Sequence, residues 1–118
     1  MKMGRRSDTL RLKDILLAVE VIQRHMLADR TAFDADEVFR YFAAKQIEII
    51  GEAAAKLTGE LRAGHPEVPW PKIVGMRNRI VHDYAEIDWD VVWRVLADEV
   101  APLGLQITEI LHQLEAHD

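Results

Sequence analysis

A chain of 118 residues that is 49% hydrophobic and 30% charged, with 6 Gly and 4 Pro, has the profile of a single folded domain spanning 1–118 rather than of a disordered chain. It contains no cysteine, which excludes disulfides, thiolate metal sites and cysteine nucleophiles. It has no apolar run near the roughly eighteen residues that a membrane span needs, and its formal net charge of −5 argues against broad nucleic-acid binding, which draws on a basic excess.

The first segment, from about Asp8 to Leu27, sets Leu12, Ile15, Leu16, Val19, Ile22 and Met26 at helical spacing, with Arg11, Asp14, Glu20 and Arg24 interleaved as a polar face. Lys2, Arg5 and Arg6 precede no signal-peptide hydrophobic stretch, so a cytoplasmic protein is expected. A second helix is expected from Asp34, which with Glu37 resembles a capping box, through Phe39, Phe42, Ala43, Ile50, Ala53 and Leu57 to Gly59. Leu61 to Pro71 then reads as one long loop, because Gly64, Pro66, Pro69 and Pro71 crowd into it and each proline disfavours helical geometry in the residue before it.

Pro71 suits the first turn of a helix, where its missing amide hydrogen costs nothing, and a short third helix is expected from there to about His82. Asp88 is a plausible N-cap for the last segment, in which Trp89, Val92, Leu96, Val100, Leu103, Ile107, Ile110 and Leu114 recur in steps of three and four. Pro102 falls inside that stripe and should bend the helix about one turn upstream, near Asp98, or divide it. No strand-like alternation or internal repeat is visible. The expected fold is all-α, an up-and-down four-helix bundle with a kinked C-terminal helix.

The third helix has an unusual polar face. Ile73, Met76 and Ile80 define its core side; a helix reaching His82 would put Asn78 and His82 together on a face pointing away from it, with Arg77 at the margin. That placement excludes a histidine tucked into the core and leaves ordinary solvent exposure as the plain reading. Charge is distributed unevenly here: Lys72, Arg77 and Arg79 lie between Trp70 and His82 with no acid among them, whereas Asp83, Glu86, Asp88 and Asp90 follow at once. A local basic patch is expected within an acidic protein. An arginine and a histidine close together, without acidic metal ligands, are what metal-free phosphodiester cleavage needs, since imidazole moves a proton near neutral pH and guanidinium grips a phosphate bidentately.

The stretch from Trp70 to Tyr84, with Arg77, His82 and Tyr84 in the order R-x-x-x-x-H-x-Y, resembles the signature of the HEPN superfamily and of its HepT-like toxin branch. Trp70, Gly75, Met76, Asn78 and Trp93 support the likeness, as do Lys45, Glu48, Gly51 and Glu52 upstream, so that it covers most of the chain. The short motif is moderately specific and the long version strongly so.

The resemblance implies a homodimeric, metal-independent endoribonuclease that acts on an RNA substrate and is paired with an MNT-type nucleotidyltransferase antitoxin. Arg77 and His82 would be catalytic, the two motifs meeting at the dimer interface, and Tyr84 would be the residue to which the partner attaches AMP. Asn78 would orient the imidazole or the phosphate, or merely support the helix. Asp83 would fix a histidine tautomer or pair with an arginine. Arg79 reads first as a solvated surface charge and second as a backbone-phosphate contact. No cofactor and no metal is implied, and the five histidines show no zinc-type spacing. The dimer gains support from Trp70, Trp89 and Trp93, which four helices cannot easily bury along with two long apolar stripes. The competing reading is a non-catalytic HEPN module that binds a nucleotidyltransferase partner, which the acidic charge favours. A plain helical interaction domain stands behind both.

Overall fold

A computed structural model describes residues 2–81 and 86–116 of the chain. The described residues are helical apart from their connections: α1 (Lys2–His25), α2 (Arg30–Ala35), α3 (Glu37–Ala55), α4 (Gly59–Gly64), α5 (Trp70–Val74), α6 (Met76–Ile80), α7 (Trp89–Arg94) and α8 (Val100–Ala116), with a π-helical turn at Val95–Glu99 joining the last two. The all-α expectation is met, and no described helix is long and apolar enough to cross a membrane.

The long apolar stripes behave as their spacing requires. Leu12, Ile15, Val19 and Ile22 of α1 are buried, and they meet Phe39, Ala43, Ile47 and Ile50 of α3 and Leu103, Ile107 and Ile110 of α8 in one core. α1 packs against both α3 and α8. The approach to α8 is close at Gly104, where a Cβ would stand 2.9 Å from Val19 Cγ1, so only glycine fits without displacing a stiff β-branched side chain.

Shorter elements depart from the expected layout. Asp34 does not cap the second long helix; it sits in α2 and pairs with Arg30 Nε at 2.8 Å, while Asp36 caps α3 by accepting from the Phe39 amide. α2 is itself capped by Asp29 and anchored by the buried Phe33. α3 stops at Ala55 rather than Gly59. The expected loop after Leu61 holds a helical turn, α4, whose N-cap Thr58 accepts from the Leu61 amide. Asp8 of α1 fixes that cap in turn, its Oδ1 accepting from the Thr58 amide at 2.8 Å and its Oδ2 from Thr58 Oγ1 at 2.6 Å.

The last apolar stripe is divided near Asp98, one of the two outcomes expected from Pro102, by the π turn at Val95–Glu99. Pro102 has no amide hydrogen and its ring presses on the carbonyl four residues back, at Asp98. The chain answers with the π turn, in which the Val100 amide donates to the Val95 carbonyl instead of to Leu96.

The tryptophan argument for a second copy needs correction. Trp70 is 4% exposed, and its Nε1 donates to the His65 carbonyl. Trp89 and Trp93 are partly buried within the chain against Phe33, with ring centroids 6.3 and 5.2 Å away. The chain shelters its indoles largely by itself.

Candidate active site

The third helix is two short helices. α5 ends at Gly75, α6 begins there, and α6 stops at Ile80. Val81 is extended, with φ −115° and ψ 125°. Val81 forms an isolated antiparallel bridge with Ile87, and the Asp88 amide donates to the Ile80 carbonyl at 2.7 Å, satisfying an acceptor that the helix end leaves open. The helix expected to run to about His82 therefore ends at Ile80, and the expected shared face of Asn78 and His82 falls partly outside the described residues. His82, Asp83 and Tyr84 lie outside the described residues. What the bridge does fix is the two ends of the segment that contains them.

The core side of this unit is as expected, with Ile73, Met76 and Ile80 all buried. It seats against α3 through a close approach at Gly51, where a Cβ would meet the Ile73 carbonyl and the Met76 Cβ at 3.2 Å each. Arg77 and Asn78 then face solvent. One helical turn before Gly51, Glu48 lies on the same side of α3, and its Oε1 meets Arg77 Nε at 3.2 Å.

Arg79 is neither a solvated charge nor a free phosphate ligand. Its Nη1 and Nη2 donate in parallel to Glu99 Oε1 and Oε2 at 2.8 and 2.7 Å, with both side chains mostly buried. Glu99 is the last residue of the π turn and also stands 3.7 Å from Lys72 Nζ. The bidentate pair thus ties α6 to the π turn between α7 and α8. The expected basic patch is correspondingly reduced: Lys72, Arg77 and Arg79 meet two carboxylates, Glu48 and Glu99, that the fold brings in from distant positions.

Hydrogen bonds from Arg79 hold the Glu99 carboxyl below its ordinary value of 4.5, with burial opposing the shift, and they raise Arg79 in turn. A carboxyl whose folded pKa is depressed stabilises the fold above its unfolded pKa and loses that contribution as the pH falls through the folded value. Glu99→Gln should therefore lower the melting temperature near neutral pH, and the gap from wild type should close as the pH falls below 4.5, the ordinary value, through the lower folded one. Thermal melts across that range check it; a gap independent of pH would show that the charge of Glu99 contributes nothing.

A separate cleft of about 630 Å³, lined in part by Arg5, Asp8, Thr58, Leu61 and His65, includes none of Arg77, Asn78 or Arg79. Asp8 there is committed to Thr58 through both oxygens. Arg77 and Asn78 lie instead on the exposed side of α6, with Arg77 beside Glu48 of α3.

A family model described as ribonuclease HepT-like matches residues 15–110, a span that includes the whole stretch from Arg77 to Tyr84. The chain is 36% identical over 81 residues to a protein of Caldanaerobacter subterraneus subsp. tengcongensis named as a candidate RNase, covering 69% of this chain and 72% of that one. It is 32% identical over 106 residues to a similarly named candidate RNase of Methanocaldococcus jannaschii, covering 89% and 97%. A protein of Thermococcus cleftensis named as a probable ribonuclease HepT is 28% identical over 102 residues, covering 84% and 91%. No solved structure matches the chain. A match that takes in α3, the α5–α6 unit and most of α8 together leaves one conclusion: the chain belongs to the ribonuclease HepT-like family of HEPN proteins.

Proposed function

We propose that this chain is a metal-independent endoribonuclease and the toxin of a HEPN/MNT toxin–antitoxin pair, with Arg77 and His82 as its catalytic residues. The observation that carries the reading is the family match across the whole motif, in a chain that presents Arg77 to solvent beside a segment whose ends are pinned by the Val81–Ile87 bridge. In the reaction the ribose 2′-oxygen bonds to the adjacent phosphorus and the bond to the 5′-oxygen breaks, leaving a 2′,3′-cyclic phosphate and a free 5′-hydroxyl. His82 takes the 2′-hydroxyl proton or delivers one to the departing 5′-oxygen. Arg77 holds the phosphoryl oxygens as charge builds on them. In a homodimer, two copies of His82 would supply base and acid to one strand. Asn78, exposed beside Arg77, and Asp83 support these two.

Tyr84 is the proposed site of AMP attachment by a nucleotidyltransferase partner. Each AMP adds a phosphate charge two positions from His82 and repels the RNA backbone. Purified protein incubated with labelled RNA and excess chelator should yield products ending in cyclic phosphate and 5′-hydroxyl. Co-expression with an MNT-type nucleotidyltransferase should add mass in steps of one AMP, lost in Tyr84→Phe. Intact RNA in the first assay would remove the ribonuclease reading, and an unchanged mass in the second would remove Tyr84 from its regulation.

A further inference from the structure

Arg77 is two-thirds exposed, and an exposed arginine ordinarily samples many rotamers, which is a poor way to hold a reacting phosphate. The contact with Glu48 answers this in a particular way. The guanidinium has two edges able to form paired hydrogen bonds, one involving Nε and one made of the terminal Nη1 and Nη2. Glu48 Oε1 lies 3.2 Å from Nε. A carboxylate at Nε steadies the side chain while leaving the terminal edge for a phosphate.

The backbone supports this placement independently of the ion pair. Gly51 lets α6 settle against α3, its missing Cβ otherwise 3.2 Å from the Met76 Cβ. Glu48, three residues earlier on that helix, is thereby set beside the residue after Met76, which is Arg77. On the other side of α6, the bidentate Arg79–Glu99 pair limits rotation of the helix away from α3. Glu48 is itself only 29% exposed, so its carboxylate is less free to wander than a fully solvated one.

We propose that Glu48 is the positioning residue for Arg77, holding its Nε so that Nη1 and Nη2 face the scissile phosphate; this rests on the ribonuclease reading of the same site. Glu48 touches no substrate and acts only through the guanidinium.

The experiment compares RNA cleavage by the full chain in wild type, Glu48→Ala, Glu48→Gln, Arg77→Ala and the Arg77→Ala/Glu48→Ala double variant, with a thermal melt of each. Glu48→Ala should lower kcat about tenfold with little change in KM, a loss that amounts to some 1.4 kcal/mol of transition-state stabilisation. Glu48→Gln, which keeps the shape but not the charge that stands 3.2 Å from Nε, should recover only part of the rate. In the Arg77→Ala background, Glu48→Ala should cost nothing further, because two residues acting through one group are not additive. Additive losses, or losses that follow only the folded fraction, would overturn the proposal. So would a Glu48→Ala protein that binds RNA more tightly and cleaves it faster, since Glu48 would then be a competitor of the phosphate. A second readout is independent of activity: the Arg77 Nε–H resonance should exchange slowly with water in wild type and quickly in Glu48→Ala. If wild type cleaves no RNA, the ribonuclease reading fails, while the exchange measurement still decides whether Glu48 holds Arg77.

Discussion

His82→Ala and Arg77→Ala are each expected to slow cleavage of a labelled RNA by about 10² to 10⁴ in the presence of chelator, with both proteins melting near wild type. For His82 the expected loss is that of the general base or acid in the proposed reaction. For Arg77 the loss is electrostatic and geometric. Arg77→Lys keeps the charge but offers a point cation in place of a planar fork, and it should recover little of the activity. Stability should hardly change on removing Arg77, because its ion pair with Glu48 is largely solvated on the arginine side and exposed pairs contribute about 0–1 kcal/mol. Rates and melting temperatures for the three proteins check this together. Undiminished cleavage in both alanine variants would mean that the chemistry lies elsewhere on the chain.

The fold was legible where burial repeats along a helix. Leu12, Ile15, Val19 and Ile22, or Val100, Leu103, Ile107 and Ile110, recur over many turns, and the core face can be read from the spacing alone. The π turn was placed by a single residue, Pro102, because the conflict between its ring and a carbonyl four residues back is local covalent geometry. α2 was missed because a six-residue helix carries one anchor, Phe33, and no period. The signal available was its cap: Asp29 accepts from the Ala32 amide, the same device as Asp36 and Phe39 a few residues later. α4 was hidden by the surrounding glycines and prolines, although Thr58 marked its start.

The candidate site was legible in its residue types and less so in its geometry. Periodicity names Ile73, Met76 and Ile80 as the inner face, but it does not say where a helix stops. The end came from Val81, whose pairing with Ile87 across the intervening segment is a tertiary event. The same limit applies to charge. Arg79 and Glu99 are 20 positions apart, and Glu48 lies on a helix that precedes Arg77 by a long connection. A window of sequence around Arg77 holds three cations and no acid, so it reads as a basic patch. The folded chain brings two carboxylates to it. Glu99 takes both terminal nitrogens of Arg79, whereas Glu48 meets only Nε of Arg77, so of these two arginines Arg77 alone keeps its terminal edge open to solvent.

The largest expected effect on stability belongs to Phe33, the residue least visible in the sequence. Phe33 is fully buried. Its ring lies 5.2 Å from Trp93, 6.3 Å from Trp89 and 6.3 Å from Phe39, so it joins α2 to α3 and α7 at once. Besides Phe33, α2 is tied to its surroundings by polar contacts at its surface, Arg30 with Asp90 and Arg40 of α3 with the Phe33 and Asp34 carbonyls, which contribute less than a buried ring. Phe33→Ala should cost about 3–5 kcal/mol, a large share of the 5–15 kcal/mol that a domain of this size has in total. Urea denaturation of the variant should show a lower midpoint with an unchanged slope. Phe33→Leu, which refills part of the space, should cost less, whereas Arg30→Ala should cost under about 1 kcal/mol. Because Trp89 follows Asp88, and the Asp88 amide holds the end of α6 through Ile80, loosening this cluster should also reach the candidate site. Amide exchange at Asp88 should rise in Phe33→Ala at urea concentrations well below the midpoint; exchange there that rises only with global unfolding would show that the aromatic cluster and the motif segment are independent.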